Sequence, residues 1–227
     1  MKIATWNIER LAHKKELNQI LSTIEQINAD VLVLTEYDER VKPNYKEWLY
    51  TPTPPDTFYS TRLGYVTYAQ TEHRIAIYTN YRIVRQYPTF DKHTSLCVEI
   101  KTEEGNLIVY GTIMGVFGNN HFSFRNDLEE QCKDFARLAA YGKNMCICGD
   151  FNMSFVDNYY HTKEGRGKVL ASMEENQLQL VTEKQKECVD HIAISKKFLF
   201  GKQLLVEEWN KDKALSDHCA IAVTFSS

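Results

Sequence analysis

KIATWNIERLAHKKELNQILSTIEQINADVLVLTE, residues 2–36, decides the fold. Residues 2–6 read as a short buried strand. Over residues 14–27, Leu17, Ile20, Leu21, Ile24 and Ile27 recur at steps of three and four, the spacing of one helix face. Residues 31–34 are four consecutive apolar residues, two of them valine, as in a strand buried on both faces. A strand, a helix and a second strand within so short a span predict a parallel strand pair joined by a helical crossover.

The rest of the chain extends that plan. Residues 42–56 hold four of the five prolines and read as a surface loop with little regular structure. Strands are predicted at 65–69, 75–79, 83–86, 95–101 and 107–112, with Glu103-Glu104-Gly105-Asn106 as a hairpin turn between the last two. A helix is predicted over 127–141, with Leu128, Phe135, Leu138 and Ala139 as its apolar positions. A strand at 145–148 follows and runs into Gly149-Asp150. A further helix near 167–176 precedes strands near 178–181, 189–194, 204–207 and 219–225. Many strands with a few interspersed helices predict an α/β four-layer sandwich, two packed mixed β-sheets flanked by helices, rather than a barrel. The 227 residues fit one domain, 1–227, with neither a literal repeat nor a low-complexity tract.

At 43% apolar residues the chain can build a large core. A net charge of −3 and a pI near 6.2 exclude a protein that coats nucleic acid nonspecifically, though not one that acts on it. Six cysteines stand at 97, 132, 146, 148, 188 and 219, without a Cys-x-x-Cys pair, and Cys146 and Cys148 would face one side of a strand. Small buried thiols in a reducing cytosol, with no zinc site, are the expectation. No leader precedes the first strand pattern and no apolar run nears the ~20 residues of a membrane helix, so a cytoplasmic protein without membrane attachment is expected.

Chemistry-bearing residues gather at the predicted strand ends. They are Trp6-Asn7-Ile8-Glu9, Glu36 after Val31–Thr35, Gly149-Asp150-Phe151-Asn152 and Ser216-Asp217-His218. Their carboxylates and amides are oxygen donors for a hard divalent cation, and the imidazole can donate to a phosphate. That combination suits metal-assisted phosphoester hydrolysis. Blander readings stand beside it. Glu36 is either a metal ligand or a solvent-facing strand end, and Asp150 and Asn152 are either site residues or ordinary turn residues. Asp190, in Val189-Asp190-His191-Ile192, is the candidate to orient His218.

Taken in order, Trp-Asn-Ile-Glu, a strand ending in Glu, Gly-Asp-Phe-Asn, Val-Asp-His-Ile and Ser-Asp-His resemble the endonuclease/exonuclease/phosphatase superfamily. It includes exonuclease-III-like AP endonucleases, pancreatic-type deoxyribonucleases, neutral sphingomyelinases and inositol polyphosphate 5-phosphatases. The resemblance spans residues 5–219. It implies that Glu36 binds Mg²⁺ (Mn²⁺ as the alternative), with Asn7 and Glu9 close to the metal or its waters and Asp217 beside it. It implies that Asp150 orients or deprotonates the attacking water and that Asn152 holds phosphate or water. His218, oriented by Asp190, would bond the phosphoryl oxygen.

The pattern departs from the family at two places. Relatives often carry Tyr or His after the strand that ends here at Thr112, but this chain reads Gly111-Thr112-Ile113-Met114-Gly115. His121 or Arg125 is the candidate replacement, against the alternative that His121 is an ordinary surface histidine. Arg10 stands where many relatives have Gly, which brings a cation near the first motif. Arg74 reads as a solvated strand-end residue, with phosphate contact as the alternative.

Substrate recognition is assigned to the loops 42–61, 115–126, 155–168 and 210–213. The loop 155–168 follows Gly-Asp-Phe-Asn directly and combines Tyr159, Tyr160 and His161 with Lys163, Arg166 and Lys168. Aromatic faces with cations suit stacked bases and phosphates; an ordinary polar loop is the alternative. Tyr159, Lys163, Arg166, His121 and Arg125 are the substrate-binding candidates. A monomeric Mg²⁺-dependent nuclease acting on DNA is expected. A phosphatase or phosphodiesterase for a small or lipid-linked phosphoester, and a catalytically silent binding module, are the alternatives.

Overall fold

The computed structural model describes residues 1–54, 57–60, 64–115, 122–160 and 163–226. The opening segment forms β1 (Lys2–Asn7), α1 (Leu17–Ile27) and β2 (Val31–Thr35). β1 and β2 are parallel, with Asn7 beside Thr35. Ile20, Ile24 and Ile27 are the buried face of α1. The helix stops at Asn28, which takes a left-handed conformation at φ 48° and returns its N–H to the Ile24 carbonyl.

Then follow β3 (Glu47–Tyr50), β4 (Thr57–Ser60), β5 (Gly64–Thr67), β6 (Ile75–Thr79), β7 (Arg82–Tyr87), β8 (Ser95–Thr102) and β9 (Gly105–Ile113). After them come α2 (Phe122–Ala139), β10 (Asn144–Asp150), α3 (Lys163–Glu175), β11 (Leu178–Leu180), β12 (Asp190–Ser195), α4 (Lys196–Leu199), β13 (Gln203–Trp209) and β14 (Ala220–Ser226).

Two six-stranded sheets result, ordered β13-β14-β1-β2-β6-β3 and β11-β12-β10-β9-β8-β7, with β4 and β5 paired separately. Each large sheet is mixed, its parallel pair being β1–β2 in one and β9–β10 in the other. Alternation along the strands builds three apolar layers. Ile3, Val31, Val33 and Ile77 meet Val98, Val109, Cys146, Cys148 and Ile192 between the sheets. Ala4, Leu32 and Leu34 pack with the buried face of α1. Tyr110 and Ile147 pack with Phe135 of α2 and Val169 and Met173 of α3. This is the expected four-layer sandwich. All six cysteines are free.

Some boundaries differ from the predicted ones. Residues 42–56 contain β3, a four-residue edge strand paired antiparallel with β6. The nearest prolines, Pro43 and Pro52, flank it and leave its ladder intact. α2 and α3 begin earlier than predicted. Gly165 and Gly167 weaken the local helical signal of α3, which is recovered by burying Gly165, Val169 and Met173.

One close approach fixes the geometry of β10. Gly149 has φ 142°, and a Cβ there would lie 2.0 Å from the Thr112 carbonyl oxygen. Only glycine allows β10 to run that close to β9. The registers then bring the motifs together. Asn7 lies beside Thr35 and so beside Glu36, while Asp150 pairs with Asp190 across β10 and β12. β14 returns antiparallel to β1, so the loop before it lies at the same end of the molecule.

Candidate active site

The site is a set of polar side chains on strand ends from both sheets. Asn7, the last residue of β1, donates from Nδ2 to Asp150 Oδ2 at 3.1 Å, across the gap between the sheets. The other Asp150 oxygen accepts the backbone N–H of Asn152 at 2.8 Å. Asn152 has φ 49°, a left-handed turn that Asn tolerates, and its amide donates to the Met114 carbonyl at 2.8 Å. Asp150 is 2% exposed.

His218 approaches from the loop before β14. Its Nδ1 lies 2.6 Å from Asp190 Oδ2. With Asp190 buried at the start of β12, this contact fixes the ring and turns Nε2 away from Asp190. Asp217 Oδ1 lies 3.6 Å from Nε2. Ser216 cross-braces the loop, donating from Oγ to the Asn7 carbonyl at 2.6 Å and accepting the His218 N–H at 3.2 Å. Glu9 accepts the Asp217 N–H at 3.3 Å.

Glu36 follows β2 in a left-handed conformation, φ 46°, with its N–H on the Arg74 carbonyl and its own carbonyl accepting from Arg10. Glu9, Arg10 and Leu11 have φ of 50°, 52° and 54°. Left-handed non-glycine residues cost about 1 kcal/mol or more each. Such strain gathered around the polar cluster marks a geometry that the surrounding fold holds in place.

The electrostatics are those of crowded buried carboxylates. Burial raises the Glu36 carboxyl above its usual range, opposed by His218, Arg74 and the Asn7 amide and reinforced by Asp217. Burial pushes Asp150 up to about 7; His218 pulls it down, and Asp190 and Glu36 push it further up. Burial pulls His218 down, but Asp190, Asp150 and Asp217 outweigh it and raise the imidazole to about 11. A cation would relieve the mutual repulsion of these carboxylates.

Among the described residues, no three His, Cys, Asp or Glu side chains converge to enclose a metal by themselves. The donors still fit one hard ion. Glu36, with Glu9 and Asp217 alongside, would supply its oxygens, while Asn7 has its Oδ1 on the Glu9 N–H at 2.9 Å, and Mg²⁺ binds through one or two carboxylates while keeping several waters.

The other sequence candidates divide. Tyr159 lines a cleft of about 320 Å³ with Asn152, Asp190, Lys213, Asp217 and His218. Lys163 begins α3 and is exposed. Arg166 donates to the Asp157 carbonyl at 2.6 Å, tying α3 to the preceding loop. Arg125 is exposed and paired with Glu164 at 2.9 Å. His121 lies outside the described residues.

After Thr112, Met114 takes part through its backbone alone, its N–H on the Asp150 carbonyl and its carbonyl on Asn152. The reading of Arg74 as solvated is corrected: it is 8% exposed, bonded to the Tyr68 hydroxyl and 5.0 Å from that ring's centre. Tyr68 also receives Arg10, 4.7 Å from its centre, while Glu72 neutralises Arg10 at 2.8 Å.

One brace lies in the loop 210–213, expected to recognise substrate but carrying no motif for a bracing role. Asn210 Nδ2 donates to the carbonyls of Ser216 and His218, both at 2.8 Å, and its Oδ1 accepts the Leu215 N–H at 2.9 Å. Ser216 was quoted in its motif, but its bond to Asn7 depends on strand order.

Carboxylates, amides and one imidazole thus gather at the strand ends of a layered α/β sandwich. The profile of the Endonuclease/Exonuclease/phosphatase family matches residues 4–218, and the chain belongs to that family. That superfamily comprises metal-dependent phosphoesterases. No curated protein matches the chain.

Solved structures share the fold at low identity. A Neisseria 3′ phosphatase bound to a product DNA hairpin is 14% identical, with TM-score 0.70 and full coverage of both chains. An AP endonuclease from Archaeoglobus fulgidus is 13% identical, with TM-score 0.67 and full coverage of both. Staphylococcus aureus beta toxin with bound magnesium ions is 17% identical, with TM-score 0.63, covering 100% of this chain and 99% of the toxin.

Proposed function

We propose that this protein is a Mg²⁺-dependent nuclease, with Mn²⁺ as the alternative ion, that hydrolyses phosphodiester bonds in DNA. The observation that carries the reading is the buried link between the sheets, Asn7 to Asp150 at 3.1 Å, beside the His218–Asp190 pair at 2.6 Å. It brings a base, amide donors and an oriented imidazole to one end of the sandwich.

Glu36 would hold the metal, with Glu9 and Asp217 beside it and Asn7 close to the metal or its waters. The bound ion supplies charge stabilisation for the phosphoryl and leaving oxygens. Asp150, whose carboxyl burial raises above its usual range, takes a proton from the attacking water. Asn152 orients that water or a phosphate oxygen. His218, charged and held by Asp190, donates to the phosphoryl oxygen as negative charge grows there. Tyr159 contributes an aromatic face to the substrate cleft.

DNA-bound and DNA-acting relatives of the same fold support a nucleic-acid substrate. Among the described residues, no helix is long and apolar enough to cross a membrane. Incubation with Mg²⁺ and plasmid, single-stranded DNA, abasic duplex or RNA, beside a phosphomonoester panel, tests the reading. DNA cleavage that EDTA abolishes is expected. Turnover of a small phosphoester with no turnover of any nucleic acid would overturn it.

A further inference from the structure

The cleft beside His218 contains a lysine that the hydrolytic step does not use. Lys213 lines it together with His218, Asn152, Asp217 and Tyr159. Lys213 has φ 56°, and its N–H bonds the Asn210 carbonyl at 2.9 Å, closing a tight turn. The Asn210 side chain bonds the His218 carbonyl, so Lys213 and His218 are carried by one braced loop. The lysine is therefore held at a set place relative to the imidazole.

Its ammonium donates to the Tyr159 hydroxyl at 2.6 Å and lies 4.6 Å from that ring's centre. Those two distances together place the ammonium at the hydroxyl end of the ring, in a hydrogen bond to the phenol oxygen. Among the described residues, no carboxylate lies within ion-pair distance of it. The carboxylates lining the same cleft are Glu187, Asp190 and Asp217. Asp190 is bonded to His218, and Asp217 lies 3.6 Å from the imidazole. Exchanging the phenol oxygen for an anionic one adds a full opposite charge to the ammonium's hydrogen bond.

We propose that Lys213 is a specificity-determining residue that binds a second phosphate of the substrate, next along the chain from the phosphate at His218. His218 and Lys213 in one small cleft then address two phosphates. The substrate class is a chain of linked phosphates, an oligonucleotide, and not an isolated phosphomonoester. A choline-bearing phosphodiester is disfavoured as well, because the ammonium would repel its quaternary amine. The inference rests on the nuclease reading and narrows it.

Binding is measured so that turnover is not needed. The Asp150→Asn variant is titrated, in Mg²⁺, with the thymidine dinucleotides TpT, pTpT and TpTp. One of the doubly phosphorylated ligands should bind about tenfold tighter than TpT, and which one reports the polarity of the cleft. Adding Lys213→Gln should bring that ratio near one, and Lys213→Arg should restore most of it. A ratio unchanged by Lys213→Gln, or a ratio of one before substitution, overturns the role of Lys213. If none of the dinucleotides binds while a small phosphomonoester does, the nuclease reading falls and the inference falls with it. If the ratio is one while the wild-type protein cleaves DNA, the inference falls alone.

Discussion

Replacing Asp190 by Asn should reveal what the His218 pair does. The carboxylate sits 2.6 Å from Nδ1 and leads the groups that raise His218 to about 11 against the depressing effect of burial. Asn keeps the shape and removes the charge. Without it, the burial that opposes protonation carries the imidazole back toward or below its ordinary value near 6.5. At pH 8 under a tenth of His218 then remains charged, so loss of the donor alone costs about tenfold or more. Loss of ring orientation adds to this, and general-acid or positioning roles are typically worth 10²–10⁴-fold. A dication bound nearby lowers the starting value without changing the direction.

The assay is a pH–rate profile on a DNA substrate from pH 5.5 to 9. Wild type should show no basic limb from His218 within that range. Asp190→Asn should acquire one near or below pH 6.5 and be least impaired at the acid end. Because the contact that raises His218 also stabilises the folded state, Asp190→Asn should lower the urea midpoint as well, and rates are compared under conditions where circular dichroism shows the variant folded. Wild-type rate at pH 8, or a profile of unchanged shape, would refute the reasoning.

Three further outcomes follow from the geometry. Gly149→Ala places a Cβ 2.0 Å from the Thr112 carbonyl at φ 142°, and should destabilise by at least ~3 kcal/mol in urea titration or prevent folding. Asn210→Ala removes bonds to the Ser216 and His218 carbonyls, so a loss of ~1–3 kcal/mol in denaturant stability with a clear drop in kcat is expected. His191 is fully buried and burial lowers it to about 4, with Asp190 and carbonyl contacts opposing. Its folded value lies below its unfolded one. The unfolded chain therefore takes up the proton first, and stability present above pH 6.5 falls as pH drops toward 4, by at most ~3 kcal/mol. Urea midpoints at pH 7.5 and 4.5 measure this, and His191→Gln should flatten the difference.

The strand–helix–strand opening and the four layers were legible because their signal is apolar periodicity, which α1 and the two sheets obey. β3 was not, since four residues between prolines carry almost no pattern and the strand is defined by its partner β6. Asn7, Glu36, Asp150, Asp190 and His218 stand out as candidates because strand ends concentrate them in short motifs, and the strand registers bring them to one end of the molecule. Arg74 was misread because a charged residue opening a strand is usually solvated, and here Tyr68, from another segment, covers it. Asn210 and Lys213 acquire their places only through the loop that Asn210 itself folds.

Metal-dependent phosphodiester hydrolysis is tested most directly by following DNA cleavage against Mg²⁺ concentration for wild type, Glu36→Ala and Asp150→Asn, each confirmed as folded by circular dichroism. Wild type should cleave with saturable Mg²⁺ dependence. Glu36→Ala should need much more metal, and Asp150→Asn should lose at least ~10²-fold in kcat at saturating metal. Wild-type kinetics in Asp150→Asn, or cleavage by the wild-type protein that EDTA leaves untouched, would contradict the account.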